Sequence, residues 1–316
     1  MLPRKTLKKV IIIVGPTAVG KTEFSIRLAE RINGEIISAD SRLLYRGMEI
    51  GTAKPSVTEM SIVPHHMIDL SEPDDVWSLS SYQERVLEEI NLVQSRSKVP
   101  IVVGGTGQYI RSLIEGWRIP PQPPDHKMRM LLETWANMIG KEQLYQKLAI
   151  IDPKAAAVID MTNVRRTIRA LEVIFLTGQR FSDLRDKNPS DFEFILIGLI
   201  RPRDELYRRV DQRIDFMFDR GLIQEVEELL NKGYDENLSS LSAIGYRETI
   251  NVIHGECSID NAKVIMKRKT RQFIRRQANW FKPDDPQILW FEMIPDPLEQ
   301  IVSEINNRFT DTSTHA

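Results

Sequence analysis

The sequence predicts an α/β fold in which a mostly parallel β-sheet is flanked by helices and interrupted by an inserted all-helical unit. Short β-branched runs alternate with longer helical patterns, as crossover units do. Those runs are apolar at nearly every position, which suits strands covered on both faces. A Pro-rich stretch, Ile119-Pro120-Pro121-Gln122-Pro123-Pro124, then opens a purely helical pattern that lasts to about Arg185.

In chain order, the strands are Val10 to Val14, Glu35 to Ser38 and Val99 to Val103, each followed by enough chain for a crossover. Within the helical segment Met128, Leu131, Leu132, Trp135 and Met138 fall at helical spacings, and a second helix runs from about Val164 to Leu176 until Gly178 stops it. Phe194 to Ile200 is strand again. Beyond Arg201 the pattern is largely helical, with a last strand at Ile288 to Phe291. The expected division is a discontinuous core of 1–118 and 190–310, a helical insertion over 119–189, and a disordered tail, 311–316, that has nothing to pack.

Composition narrows the class. With 316 residues, 41% hydrophobic and 28% charged, the chain is an ordinary globular protein. Its 43 basic and 44 acidic residues nearly cancel, so an RNA partner depends on where charges cluster. One cysteine, Cys257, excludes an internal disulfide or a thiolate zinc site. The run Val10 to Val14 is too short for a signal peptide, and no stretch approaches the roughly 20 apolar residues that span a bilayer. The expectation is a cytoplasmic protein with no membrane partner.

The strongest chemical signal is Gly15-Pro16-Thr17-Ala18-Val19-Gly20-Lys21-Thr22, which fits G-x-x-x-x-G-K-[ST] between a predicted strand and a helical run. Such a loop turns backbone N–H groups and a helix N-terminus toward phosphate oxygens; Lys21 adds a mobile charge and Thr22 a hydroxyl for Mg2+. The fold is therefore expected to be P-loop NTPase-like. The loop alone does not choose between a nucleotide and another diphosphate. A GTPase is disfavoured, because the nearest candidate for a base-reading motif, Asn231-Lys232-Gly233-Tyr234, has Tyr where Asp is required.

Asp40 follows the second strand, at the strand end where ligand crevices form in such sheets. It can be read as a helix N-cap, a Mg2+ ligand or a general base. Two basic faces stand out. Arg165, Arg166 and Arg169 lie opposite Val164, Ile168 and Leu171 at helical spacing; Arg268, Arg271, Arg275 and Lys282 mark a second stripe with Arg276 beside it, and no acidic residue interrupts Lys263 to Lys282. Either could be a solvated helix face. His65-His66 sit on an extended segment, point to opposite sides and suit packing or hydrogen bonding rather than a shared metal. The five tryptophans are read as core residues.

Taken together, Gly15 to Thr22, Asp40-Ser41 with Tyr45, Gly51-Thr52-Ala53-Lys54-Pro55, Pro64-His65-His66 with Asp69, and Gly104-Gly105-Thr106-Gly107 resemble the tRNA dimethylallyltransferases. Further matches at Arg165 to Glu172, Ala243 to Glu248 and Arg271 to Trp280 extend the resemblance from about Val10 to about Phe291. The resemblance is to the shorter bacterial form, since the cysteines of a C-terminal zinc finger are lacking. Leu43 stands where many members have Gln, and Gln108 where they have Leu.

The resemblance implies transfer of a dimethylallyl group from dimethylallyl diphosphate, with Mg2+, to the 6-amino group of the adenine 3′ to the anticodon, at position 37 of tRNA. It implies Asp40 as the base, Thr106 and Arg213 as further catalytic residues, and Gly15 to Thr22 as the diphosphate cradle. Contacts to tRNA would come from Asp40, Ser41, Arg42, Leu43, Thr106, Arg129, Arg165, Arg166, Thr167, Ile168, Arg169, Ala243, Ile244, Gly245, Tyr246, Arg247, Glu248, Arg271, Arg275 and Arg276. An adenine in an RNA loop must be extruded to reach such a site, which requires the surrounding strand to be held by shape and charge. The chain is expected to act as a monomer. A P-loop kinase of a small nucleotide or metabolite explains the loop equally well but leaves both arginine faces unexplained. An RNA-binding module without catalysis would give Asp40 no role.

Overall fold

The computed structural model describes residues 8–117, 119, 125–184 and 191–310, and the expected tail at 311–316 and most of the Pro-rich stretch lie outside them. The strands are β1 (Lys8–Val14), β2 (Gly34–Ser38), β3 (His65–His66), β4 (Val99–Val103), β5 (Phe192–Ile200) and β6 (Ile288–Glu292). They form one sheet in the order β3-β2-β4-β1-β5-β6, and every pair is parallel. Val10 to Val14 are wholly buried, as is β2, because helices cover both faces of a parallel sheet.

The helices are α1 (Lys21–Ile32), α2 (Val57–Ile62), α3 (Leu79–Ser95), α4 (Gly107–Ile114), α5 (His126–Ile139), α6 (Lys141–Ile151), α7 (Pro153–Val158), α8 (Val164–Thr177), α9 (Arg203–Asp219), α10 (Leu222–Asn231), α11 (Tyr246–Ile253), α12 (Ile259–Ala278) and α13 (Leu298–Thr310). Among the described residues no helix is long and apolar enough to cross a membrane. The five strands read from the sequence are all present. Strand β3 is the addition: two residues registered on Ile36 and Ile37, with His66 bonded to the Glu35 carboxylate at 2.7 Å.

The chain divides into two compact units, one of residues 1–76, 85–110 and 191–316, the other of 77–84 and 111–190. The first holds the sheet. In it β1 lies between β4 and β5, and the loops leaving the carboxyl ends of β1, β2 and β4 carry Gly15 to Thr22, Asp40 and Thr106. The second unit packs α5 to α8 around Leu132, Leu144, Leu148, Ile168 and Leu171. Gly178 takes the left-handed conformation (φ 70°) that ends α8, as expected for a glycine C-cap. A buried carboxylate, Glu172, accepts from the Asp125 N–H at 2.7 Å and from Arg129 and Arg169 at 3.1 and 2.7 Å.

Candidate active site

The phosphate loop is built by close backbone approach. Gly15 (φ 148°) leaves β1 where a Cβ would stand 2.6 Å from the Leu199 carbonyl oxygen, so a side chain there would force the loop off the neighbouring strand. The loop backbone is then fastened from several directions. Arg209 on α9 donates from Nε to the Ala18 carbonyl at 2.7 Å, and Arg201 from Nε to Val19 at 2.8 Å. Gln277 on α12 uses both ends of its buried amide: its oxygen accepts the Thr17 N–H at 2.8 Å and its nitrogen donates to the Gly105 carbonyl at 3.1 Å. Lys21 reaches back to the carbonyls of Gly15 and Pro16, each at 2.9 Å.

Two cavities meet at this loop. One, of about 440 Å3, is lined by the loop residues Thr17, Ala18, Gly20, Lys21 and Thr22 together with Asp40, Thr52, Lys54, Arg209 and Arg213. The other, of about 480 Å3, is lined by Asp40, Ser41, Arg42, Thr106 and Gln108 on one side and by Ile214, Met217, Met266, Phe273 and Trp280 on the other. Thr17, Asp40, Thr52 and Arg213 belong to both walls. Gly107 has no side chain because the Trp280 ring occupies the space a Cβ would need.

Asp40 is held by an Asx-type turn in which Oδ1 accepts the Arg42 N–H at 2.9 Å, leaving the other carboxylate oxygen without a hydrogen-bond donor among the described residues. The Thr106 hydroxyl accepts the Ser41 N–H at 3.4 Å, linking the ends of β2 and β4. Arg213 bonds Thr17 Oγ1 at 3.5 Å and the Thr52 carbonyl at 3.3 Å. Loss of solvent lowers the Lys21 pKa to about 8, with the Asp40 charge opposing that shift and Arg213 adding to it. Arg213 is lowered for the same first reason, with Asp40 again raising it and Arg209 lowering it further. The Asp40 charge thus acts on both Lys21 and Arg213.

The chemistry available is that of a polyanion grip beside a carboxylate. Among the described residues no group of three His, Cys, Asp or Glu side chains could hold a metal ion. The Thr22 hydroxyl lies in the wall of the phosphate-loop cavity, beside the position of a bound phosphate.

The IPP transferase family model matches residues 43–284. The tRNA dimethylallyltransferase of Herpetosiphon aurantiacus is 49% identical over 273 residues, covering 86% of this chain and 87% of that one. The chain belongs to the IPP transferase family. Among solved structures, the tRNA isopentenylpyrophosphate transferase of Bacillus halodurans is similar with a TM-score of 0.72 and 39% identity, covering 97% of this chain and 98% of that chain. A eukaryotic dimethylallyltransferase, described in crystallographic snapshots acting on tRNA, gives a TM-score of 0.81 at 26% identity and covers 96% of this chain and 80% of that one.

Set within the IPP transferase family, the remaining sequence-read positions divide by what their side chains touch. Arg165 and Arg166 on α8 are exposed and have no partner among the described residues, whereas Arg129 and Arg169 clasp buried Glu172. Thr167 and Ile168 are buried, so their side chains pack α8 within its unit. Arg275 and Arg276 are exposed, Arg276 lines the larger cavity, and Arg271 is paired with Asp211 at 2.7 Å. Ala243 and Ile244 line that cavity too. Gly245 is the N-cap of α11, where its N–H donates to Glu248 at 2.8 Å, and Arg247 is half-buried. The Tyr246 and Glu248 side chains are buried: the Tyr246 hydroxyl donates to Glu225 at 2.6 Å, while Glu248 pairs with Lys269. Arg42 is bonded to the 239–242 turn, at 2.6 Å from the Ser239 carbonyl. Of the two departures, Leu43 lines the phosphate-loop cavity and Gln108 the larger one.

Sequence reasoning missed Gln277, Arg209 and Glu225. Gln277 lies three residues beyond buried Ile274 on the inner face of α12, and Arg209 lies one turn before Arg213, so helical spacing held a signal for both. Glu225 accepts the N–H groups of Glu49, Ile50 and Gly51 at 2.9, 2.6 and 3.1 Å, a long-range contact for which the local sequence has no marker.

Proposed function

We propose that the protein transfers the dimethylallyl group of dimethylallyl diphosphate to the exocyclic 6-amino group of the adenine at position 37 of tRNA, releasing diphosphate. The observation that carries this reading is that Asp40 and Arg213 line both cavities, so a carboxylate and a cation stand where a donor on the phosphate loop and an acceptor in the larger cavity would meet. The amine attacks the first prenyl carbon, a C–N bond forms, and the C–O bond breaks with its electron pair leaving on the diphosphate. Asp40 takes the proton that the attacking nitrogen must shed, because an amine conjugated to a purine carries positive charge poorly. The leaving group's charge is met by the loop amides, Lys21 and Arg213. Thr106 borders the acceptor side, and Ile214, Met217, Met266 and Phe273 supply an apolar wall for the prenyl chain and purine face.

Thr22 would hold Mg2+, which neutralises diphosphate charge when bound. The exposed arginines of α8 and α12 would hold the tRNA strand around the extruded base. The helical segment 119–189 would serve as the tRNA-holding domain on the 1–118 and 190–310 core. The chain would act as a monomer in the cytoplasm. A kinase reading gives the unpartnered arginines Arg165, Arg166 and Arg275 nothing to bind.

Mass spectrometry of nucleosides from unmodified tRNA, after incubation with the protein, Mg2+ and dimethylallyl diphosphate, tests the proposal. A dimethylallyl adduct on adenosine formed without any nucleoside triphosphate is expected. Phosphate transfer from ATP with no such adduct would reject it.

A further inference from the structure

Three arginines approach the phosphate loop, and their charges are treated differently. Arg201 fastens the Val19 carbonyl and is paired with Glu205. Arg213 faces the junction of the two cavities, where Asp40 offsets it. Arg209 fastens the Ala18 carbonyl through Nε, which fixes its guanidinium at the loop, yet it has no ion-pair partner among the described residues. The wall it shares also carries three carboxylates. Of these, Glu59 is engaged by the Ser56 N–H and hydroxyl at 2.7 and 2.8 Å, and neither Glu23 nor Asp40 forms an ion pair with Arg209. The Arg209 terminal nitrogen lies 3.9 Å from where a Cβ on Gly20 would stand, beside the turn that opens α1.

A guanidinium held by one nitrogen and left uncompensated keeps its remaining N–H groups for an anion. We propose that Arg209 is a second arginine ligand of the diphosphate, working beside Lys21 and Arg213. The inference rests on the diphosphate reading of the loop. It goes further in assigning the Arg209 guanidinium to the leaving group rather than to the loop's architecture alone. Diphosphate leaves with three or more negative charges, and Lys21 and Arg213 already share the Asp40 carboxylate, so a third cation improves the match. Position agrees: Arg209 and Arg213 are one helical turn apart on α9 and line the same cavity.

The experiment is titration calorimetry of inorganic diphosphate with Mg2+ into the full chain and three variants. R209Q removes the charge. The double variant R201Q/E205Q removes a fastening from the same loop without changing net charge, and K21A tests the loop itself. R209Q is expected to weaken diphosphate binding about tenfold or more, the usual effect of losing a charge-assisted contact. The R201Q/E205Q change is expected to be several times smaller. Equal losses in R209Q and R201Q/E205Q, or wild-type affinity in R209Q while K21A is impaired, would overturn the assignment of Arg209. Undiminished affinity in K21A would instead reject the diphosphate reading. Should R209Q fail to fold, R209K, which keeps the charge but loses the fork, is expected to bind diphosphate more weakly than wild type with tRNA affinity retained; wild-type diphosphate affinity in R209K would count against the fork.

Discussion

Arginines gather in two places in this molecule, and their partners separate what they do. Around the phosphate loop, Arg209 and Arg213 line one cavity; Asp40 offsets Arg213 while Arg209 has no ion-pair partner among the described residues, so positive charge remains for a ligand. In the helical unit, Arg129 and Arg169 close on Glu172, whose side chain is wholly buried, and their charge is spent inside the protein. The same residue type thus serves binding in one region and folding in the other. The lesson is that an arginine's function follows from whether a carboxylate has already claimed it.

Substitutions sharpen the contrast. The largest effect is expected at Asp40: D40A should lower prenyl transfer about 10^3-fold, within the range of general-base losses, while tRNA binding persists. Normal turnover in D40A would remove the carboxylate from the reaction. Next, R213Q should reduce kcat roughly 10^2-fold, as expected for a lost oxyanion partner, without lowering thermal stability. In the helical unit the outcome should invert. E172Q leaves two arginines facing a neutral amide and should destabilise that unit by ~3 kcal/mol, the low end for breaking a buried pair because both arginines reach solvent. Hydrogen exchange of α5 and α8 amides would register it, and unchanged protection would mean the cluster carries no structural load.

A smaller effect separates exposed from engaged arginines on α8. Replacing Arg165 and Arg166 with alanine should weaken tRNA binding several-fold and reduce the slope of log K against log salt by about 1.4 if each meets one phosphate of a single strand. R129A should leave that slope alone. Equal slopes in both variants would erase the distinction between the two kinds of arginine.

Acid should act on the helical unit through Asp152, which caps α7 by accepting the Ala155 N–H at 3.0 Å and also accepts the Ser182 N–H at 2.8 Å. Burial alone would raise this carboxyl, but the two amides, the Ser182 hydroxyl and the Arg180 charge together outweigh it and hold its pKa below the ordinary value. A lowered folded-state pKa means that the unfolded chain binds more protons in acid. The stabilisation is therefore complete above the ordinary carboxylate pKa and is lost as pH falls through the lowered one. D152N should make the unit less stable at neutral pH and flatten that acid dependence.

Much of this was legible in the sequence where local pattern decides structure. The five longer strands announced themselves by short apolar, β-branched runs, and Gly15 to Thr22 by the spacing of a strand-to-helix phosphate turn. Strand β3 was not visible as such, because two histidines have no strand-like pattern and are fixed by pairing with β2 and by the Glu35 carboxylate. The exposure of Arg165 and Arg166 was also readable from helical periodicity. That Arg169 is engaged was not, since Glu172 three residues on looks like any surface acid until the fold buries it. Helical spacing places Gln277 on the inner face of α12 but does not name its partners, and Glu225 bonds backbone far away in sequence with no local marker at all.

The central claim is that Asp40 readies the acceptor at the place where donor and acceptor cavities join. A crystal structure of the protein with tRNA and an unreactive thiolodiphosphate analogue of the donor tests it most directly. The account predicts the adenine 6-amino nitrogen within about 3 Å of the Asp40 carboxylate, with the diphosphate on the Gly15 to Thr22 loop. An adenine seated against a different carboxylate, with Asp40 turned away from both ligands, would contradict it.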